Sequence, residues 1–149
     1  MDRLVMLLAT GFGLGRLPKA PGTWGTLPAF PIQLLLLTLA PLTYTLALVA
    51  IFILAVVVAG MAEKILDRPD PGMVVIDEII GMLIALIAVP ATPLAWLGAF
   101  LLFRFFDILK PWPIRLIDSR CHGGLGIVLD DVLAGIYALA CIHLLLYLL

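Results

Sequence analysis

Long apolar runs alternate with three polar blocks along this chain. Residues 2–19, 63–78 and 104–131 hold every Lys, Arg, Asp and Glu, and the runs between them hold none. The first polar block opens on Asp2–Ala9, which reads as a short amphipathic, interfacial helix. Residues 10–26, TGFGLGRLPKAPGTWGT, carry five glycines and two prolines in seventeen positions and read as a loop. Residues 27–39 form a thirteen-residue apolar segment, which at 1.5 Å per residue reaches only about 20 Å. Pro41 breaks it, and residues 44–61 follow as an eighteen-residue apolar run. A turn is expected at 69–72. Runs 79–89 and 94–103 flank the prolines at 90 and 93 and read as a helical hairpin rather than one kinked span. A single span would put the acids at 77 and 78 and the lysine at 110 on opposite sides of a membrane. Residues 119–131, SRCHGGLGIVLDD, read as a second Gly-rich loop ending in an acidic pair, and residues 132–149 form a last apolar run.

Composition turns this pattern into a class. The chain of 149 residues is 64% hydrophobic and 13% charged, with mean hydropathy +1.21, far from the soluble average. A single domain, 1–149, is expected from the length. The fold class is all-α, a polytopic helical membrane protein with about five membrane segments, some short or re-entrant. The connections near 41 and 90–93 are uncharged, so all nine Lys and Arg fall on one side. By the positive-inside rule that side is the cytoplasm. Small residues four apart, Gly81 with Ala85 and Ala134 with Ala138, suit close helix packing. No basic run suggests nucleic acid, and no obligate protein partner is inferred. Cys121 and Cys141 have no metal or redox spacing. Residues 1–10 are too short for a cleavable signal peptide.

The candidate chemistry lies where the blocks converge. In residues 103–120, FRFFDILKPWPIRLIDSR, helical spacing puts Arg104, Asp107 and Lys110 on one face, with Pro111 and Pro113 ending the helix. A charged row at the end of an apolar segment is costly to keep near lipid, which makes it a functional candidate; a basic patch that fixes topology is the plainer reading. Asp77 and Glu78 open the next apolar run. Capping a helix N-terminus accounts for one of them and leaves the other unexplained. Folding the hairpins brings Asp77, Glu78, Asp107, Asp130 and Asp131 to one surface with Arg16, Lys19, Arg104, Lys110 and Arg115. Clustered carboxylates suit a hard divalent cation such as Mg²⁺, and arginine and lysine suit phosphate. The glycines at 11–15 offer backbone N–H groups to an anion, although no GK[ST] completes a Walker loop. His143 reads as a packing residue and His122 as a weak candidate. Together these residues suggest phosphoryl chemistry on a substrate reached from the membrane. Cys121 lacks the CX₅R loop of a cysteine phosphatase, and neither a DxDx[TV] nucleophile nor a PSGH signature is present.

Four blocks then resemble one family, the phosphatidylglycerophosphatase A lipid phosphatases. They are GFGLGRLPKAPGTWGTLPA (11–29), VIDEIIGM (75–82), FRFFDILKPWPIRLID (103–118) and HGGLGIVLDDVLAGI (122–136). The resemblance covers nearly the whole chain, and no charged residue of these blocks departs from it. It implies Mg²⁺-dependent hydrolysis of phosphatidylglycerophosphate to phosphatidylglycerol and phosphate, in the bacterial inner membrane, with the site facing the cytoplasm. On those positions Asp77, Glu78, Asp107, Asp130 and Asp131 are the candidates for metal and water. Lys19, Thr23, Arg104, Lys110 and Arg115 are the candidates for phosphate. The competing class is a non-catalytic ion-binding or transport protein, which would line a path through the membrane with charge instead of gathering it at one face. The DGxxAR signature of the CDP-alcohol phosphotransferases is absent.

Overall fold

The computed structural model describes residues 2–148; Met1 and Leu149, the last residue of the final apolar run, lie outside it. The helices are α1 (Asp2–Ala9), α2 (Pro21–Thr26), α3 (Ala29–Leu36), α4 (Pro41–Leu66), α5 (Ile76–Ala85), α6 (Pro93–Leu109), α7 (Ile114–Arg120) and α8 (Gly123–Leu148), with a 3₁₀ turn at Leu14–Arg16. The described residues contain no strand. Among them, α4 and α8 are long and apolar enough to cross a membrane.

Proline positions set several boundaries. Pro21, Pro41 and Pro93 stand at the first turn of α2, α4 and α6, where the missing N–H costs nothing. Pro41 therefore ends one run by starting the next helix. Pro21 places a helix inside what the composition suggests is loop. At the start of α6, the Thr92 hydroxyl accepts from the Ala95 N–H. With 26 residues, α4 exceeds the apolar run because the flanking residues propagate the helix until Asp67 caps it in the left-handed conformation. Leu42, Leu46, Val49, Ile53 and Val57 form an exposed apolar stripe along α4, a face suited to hydrocarbon.

The centre of the bundle is α8, packed against α4, α5, α6 and α7. It begins at Gly123, so the second Gly-rich segment is largely helix. Its glycines are used for close approach. A Cβ on Gly124 would strike the Val56 carbonyl, and one on Gly135 would strike the Gly81 carbonyl. Packing overrides the low helix propensity of glycine here. α5 and α6 form the expected hairpin, since Glu78 in the first turn of α5 meets Arg104 near the end of α6.

The short α5 ends among apolar side chains, where under-bonded carbonyls are expensive. Two side chains meet them. His143 on α8 donates from Nε2 to the Ile87 carbonyl at 2.9 Å. Gln33 on α3 donates to the Leu86 carbonyl at 3.4 Å and also bonds the Tyr44 hydroxyl. His143 is thus a satisfied packing residue, as its apolar surroundings suggest.

The close contact of α5 and α8 predicts that Gly135→Val lowers stability by about 1–3 kcal/mol through overpacking. Gly98→Ala should cost far less, because its added Cβ meets only the tip of Ile142. Thermal unfolding of both variants in detergent measures the contrast.

Candidate functional site

The charged ends of α4, α5, α6 and α8 lie together at one end of the bundle. α5 contributes Asp77 and Glu78 in its first turn, where the helix dipole favours negative charge. α8 contributes Asp131 from its third turn. One carboxylate oxygen from each of Asp77, Glu78 and Asp131 lies within 4.8 Å of the others. Asp77 and Asp131 are buried and Glu78 nearly so. Asp77 Oδ1 and Glu78 Oε2 are buried with no hydrogen-bond partner among the described residues. Three clustered acids repel one another, and two of them carry orphaned oxygens, so this donor set fits a hard divalent cation.

Arg104 lies against the same cluster. It pairs with Asp107, three residues on, and its Nη1 lies 3.9 Å from Glu78 Oε1. These contacts are ionic rather than well-directed hydrogen bonds: Arg104 Nε and Nη1 have no hydrogen-bond partner among the described residues. A buried guanidinium with unused donors suits a phosphate group. Asp107 also neighbours Asp131, which places it beside the three-carboxylate set. Gly22, in α2, closes this side. A Cβ there would strike Glu78 Oε1 and crowd both terminal nitrogens of Arg104.

Successive helix positions diverge by about 100°, and Asp130 consequently points elsewhere than Asp131. Asp130 Oδ2 accepts from Lys110 Nζ at 2.7 Å, and the same ammonium donates to Asp118 at 2.6 Å. Burial pulls the Lys110 ammonium down, but the two bonded carboxylates outweigh it and raise its pKa overall. Lys110 itself is not part of the helical row with Arg104 and Asp107, because it caps α6 with φ 44°. Asp130, whose Oδ1 is buried and unpartnered among the described residues, also lines a separate cavity of about 350 Å³ with Glu63, Asp70, Asp118, Cys121 and His122.

The remaining candidates fall outside these contacts. Lys19 and Arg115 are exposed and form no ion pair among the described residues, and Arg16 is likewise exposed. Thr23 is half-buried next to Gly22. Gly11 and Gly15 are buried against Val75 and Met73, and Gly25 also packs on Val75. These three glycines let the loop wrap the approach to α5. They are packing positions, and Gly22 is the glycine that faces the charges. Sequence reasoning missed Gly22 and Asp118. The signal for Asp118 was its place at the end of the 103–118 motif; for Gly22 it was the PGT triplet.

A family model described as phosphatidylglycerophosphatase A matches residues 7–146. The Phosphatidylglycerophosphatase A of Haemophilus influenzae is 42% identical over 145 residues, covering 96% of this chain and 89% of its own. That of Escherichia coli K12 is 42% identical over 131 residues, covering 87% and 76%. A Bacteroides thetaiotaomicron protein provisionally named a phosphatidylinositol-3-phosphatase is 43% identical over 143 residues, covering 91% and 89%. No solved structure matches the chain.

The Lys110 contacts generate an asymmetric expectation. Lys110→Met leaves the Asp130 carboxylate buried and unpaired and should cost about 2 kcal/mol. Asp118→Asn, at the exposed partner, should change stability by no more than about 0.5 kcal/mol. Denaturant unfolding in detergent distinguishes the two.

Proposed function

The chain belongs to the phosphatidylglycerophosphatase A family, and from that membership we propose that it hydrolyses the terminal phosphate monoester of phosphatidylglycerophosphate. The products are phosphatidylglycerol and inorganic phosphate. The observation that carries this reading is the juxtaposition of the Asp77, Glu78 and Asp131 carboxylates with an arginine whose Nε and Nη1 make no well-directed hydrogen bond among the described residues. A non-catalytic transport role is not favoured by the family relatives or by charge gathered at one end of the bundle.

Asp77, Glu78 and Asp131 are proposed to hold Mg²⁺ through their oxygens. When bound there, the cation would polarise the phosphoryl oxygens and acidify a water. Arg104 is proposed to receive phosphate oxygens on its N–H groups, and the bare Cα of Gly22 lets the α2 backbone come close to Arg104 and Glu78. Asp107, beside Asp131 yet outside the three-carboxylate set, orients the attacking water and takes its proton. The water oxygen bonds to phosphorus, the bond to the glycerol oxygen breaks, and the departing alcohol is protonated from water. Thr23 and Lys19, on either side of Gly22 in the chain, and Arg115 on α7 are proposed outer contacts to the phosphate. Lys110 and Asp130, already bonded to each other, are proposed to fix the C-terminal end of α6 against α8.

The protein is proposed to sit in the bacterial inner membrane with its charged end at the cytoplasmic face. The support is the confinement of all Lys and Arg to three blocks whose ends meet. α4 and α8 would cross the bilayer, with α3, α5 and α6 as shorter segments, giving about five in all.

Phosphate release from phosphatidylglycerophosphate in detergent micelles tests this reading. Release should occur with Mg²⁺, stop with EDTA, and exceed release from phosphatidic acid and phosphatidylinositol 3-phosphate. Release that survives EDTA would remove the metal from the mechanism. Asp131→Asn changes charge with little change in shape and should lower turnover by about a hundredfold or more. In wild type, Mg²⁺ at a hundredfold excess over Kd should add about 2.7 kcal/mol of stability; the variant should lose most of that increment.

A further inference from the structure

A second feature shares the elements of the charged site. A groove of about 330 Å³ runs between Leu27 and Phe30 on one side and Pro93, Trp96, Leu97 and Phe100 of α6 on the other. Its walls are apolar. Phe30 stacks on Trp96 at 5.6 Å between ring centroids and lies 6.1 Å from Phe100, so its floor is rigid aromatic surface. Leu27 and Leu97 stay exposed at its rim.

The two walls are continuations of the site. The segment from α2 into α3 runs antiparallel to α6. Gly22 meets Arg104 at the charged end, and Phe30 meets Trp96 and Phe100 further along. Phe100 is one turn from Arg104, about 6 Å along the helix, and Pro93 is about 16 Å away. The groove thus starts about one helical turn from Arg104 and leads away from the charged end of the bundle.

We propose that this groove holds one acyl chain of the lipid phosphate ester whose phosphate lies at Arg104. This rests on the lipid-phosphatase reading and adds a chain subsite to it. Any bilayer lipid is as apolar as the groove, so burial alone selects nothing. A lipid held at its phosphate is different, because its own chain is tethered next to the opening at high effective concentration. The chain subsite then fixes the direction from which the monoester enters, which is an orientation effect rather than a gain in burial.

The test uses phosphatidylglycerophosphate with a diazirine midway along one acyl chain, photolysed with wild-type protein in micelles and mapped by mass spectrometry. Label should fall on residues 27–30 and 93–100 and be competed by unlabelled ester. Label concentrated on the exposed stripe of α4 would overturn the proposal. Leu97→Trp fills the groove from its exposed rim. It should lower kcat/KM for the dihexadecanoyl ester about tenfold while leaving the dibutanoyl ester within about twofold. Equal loss on both esters with no label on the walls would also overturn it. Failure of wild type to release phosphate from either ester would instead strike the phosphatase reading.

Discussion

The close approach of α5 and α8 is the constraint on which the site depends. Gly81 and Gly135 let two backbones meet where any side chain would hold them apart. Gly81 lies one turn beyond Asp77 and Glu78, and Asp131 lies one turn before Gly135. The spacing that brings the glycines together also brings the three carboxylates within reach of one another. Hydrocarbon supplies no hydrophobic force between helices, so shape at such contacts decides their separation. The electrostatic cost of gathering acids is thereby imposed by backbone packing.

The charges at this end of the bundle fall into two groups. Asp77, Glu78, Asp107, Asp131 and Arg104 form one group, with orphaned oxygens and nitrogens that call for a ligand. Lys110, Asp118 and Asp130 form another, in which the ammonium bridges α7 and α8. One helix supplies neighbouring residues to both groups, because adjacent helical positions face different directions. The same economy appears on the opposite wall, where the α2–α3 segment brings Gly22 to the arginine and Phe30 to the aromatic groove.

Much of this was legible in the sequence. Apolar runs and confined charge gave an all-helical architecture, and the uncharged prolines between 90 and 93 gave the hairpin that sets Glu78 beside Arg104. The family followed from motifs whose charged positions are intact. Two features were hidden for physical reasons. Glycines at 123–126 read as loop by propensity, yet tight contact with α4 and with Cys121 makes them helix, and the Asp130–Asp131 pair can be divided only once that helix is known. Pro21 reads as a breaker inside a Gly-rich stretch, although at a first helical turn it begins a helix. The ends of α5 were hidden as well, since nothing local marks Gln33 and His143 as partners of distant carbonyls.

Those end contacts give α5 a mechanical character. It is a strut about 15 Å long, half the thickness of a bilayer core, fastened at its acidic end by the Val75 N–H donating to the Ala9 carbonyl and at the other by Gln33 and His143. Its length is set inside the protein. In the proposed membrane placement, a bilayer that thins or thickens would be met by tilting of the long helices α4 and α8, while the strut would keep its carboxylates at a constant distance from its far anchor. The separation between the carboxylates and the far anchor of α5 is therefore set by the protein itself.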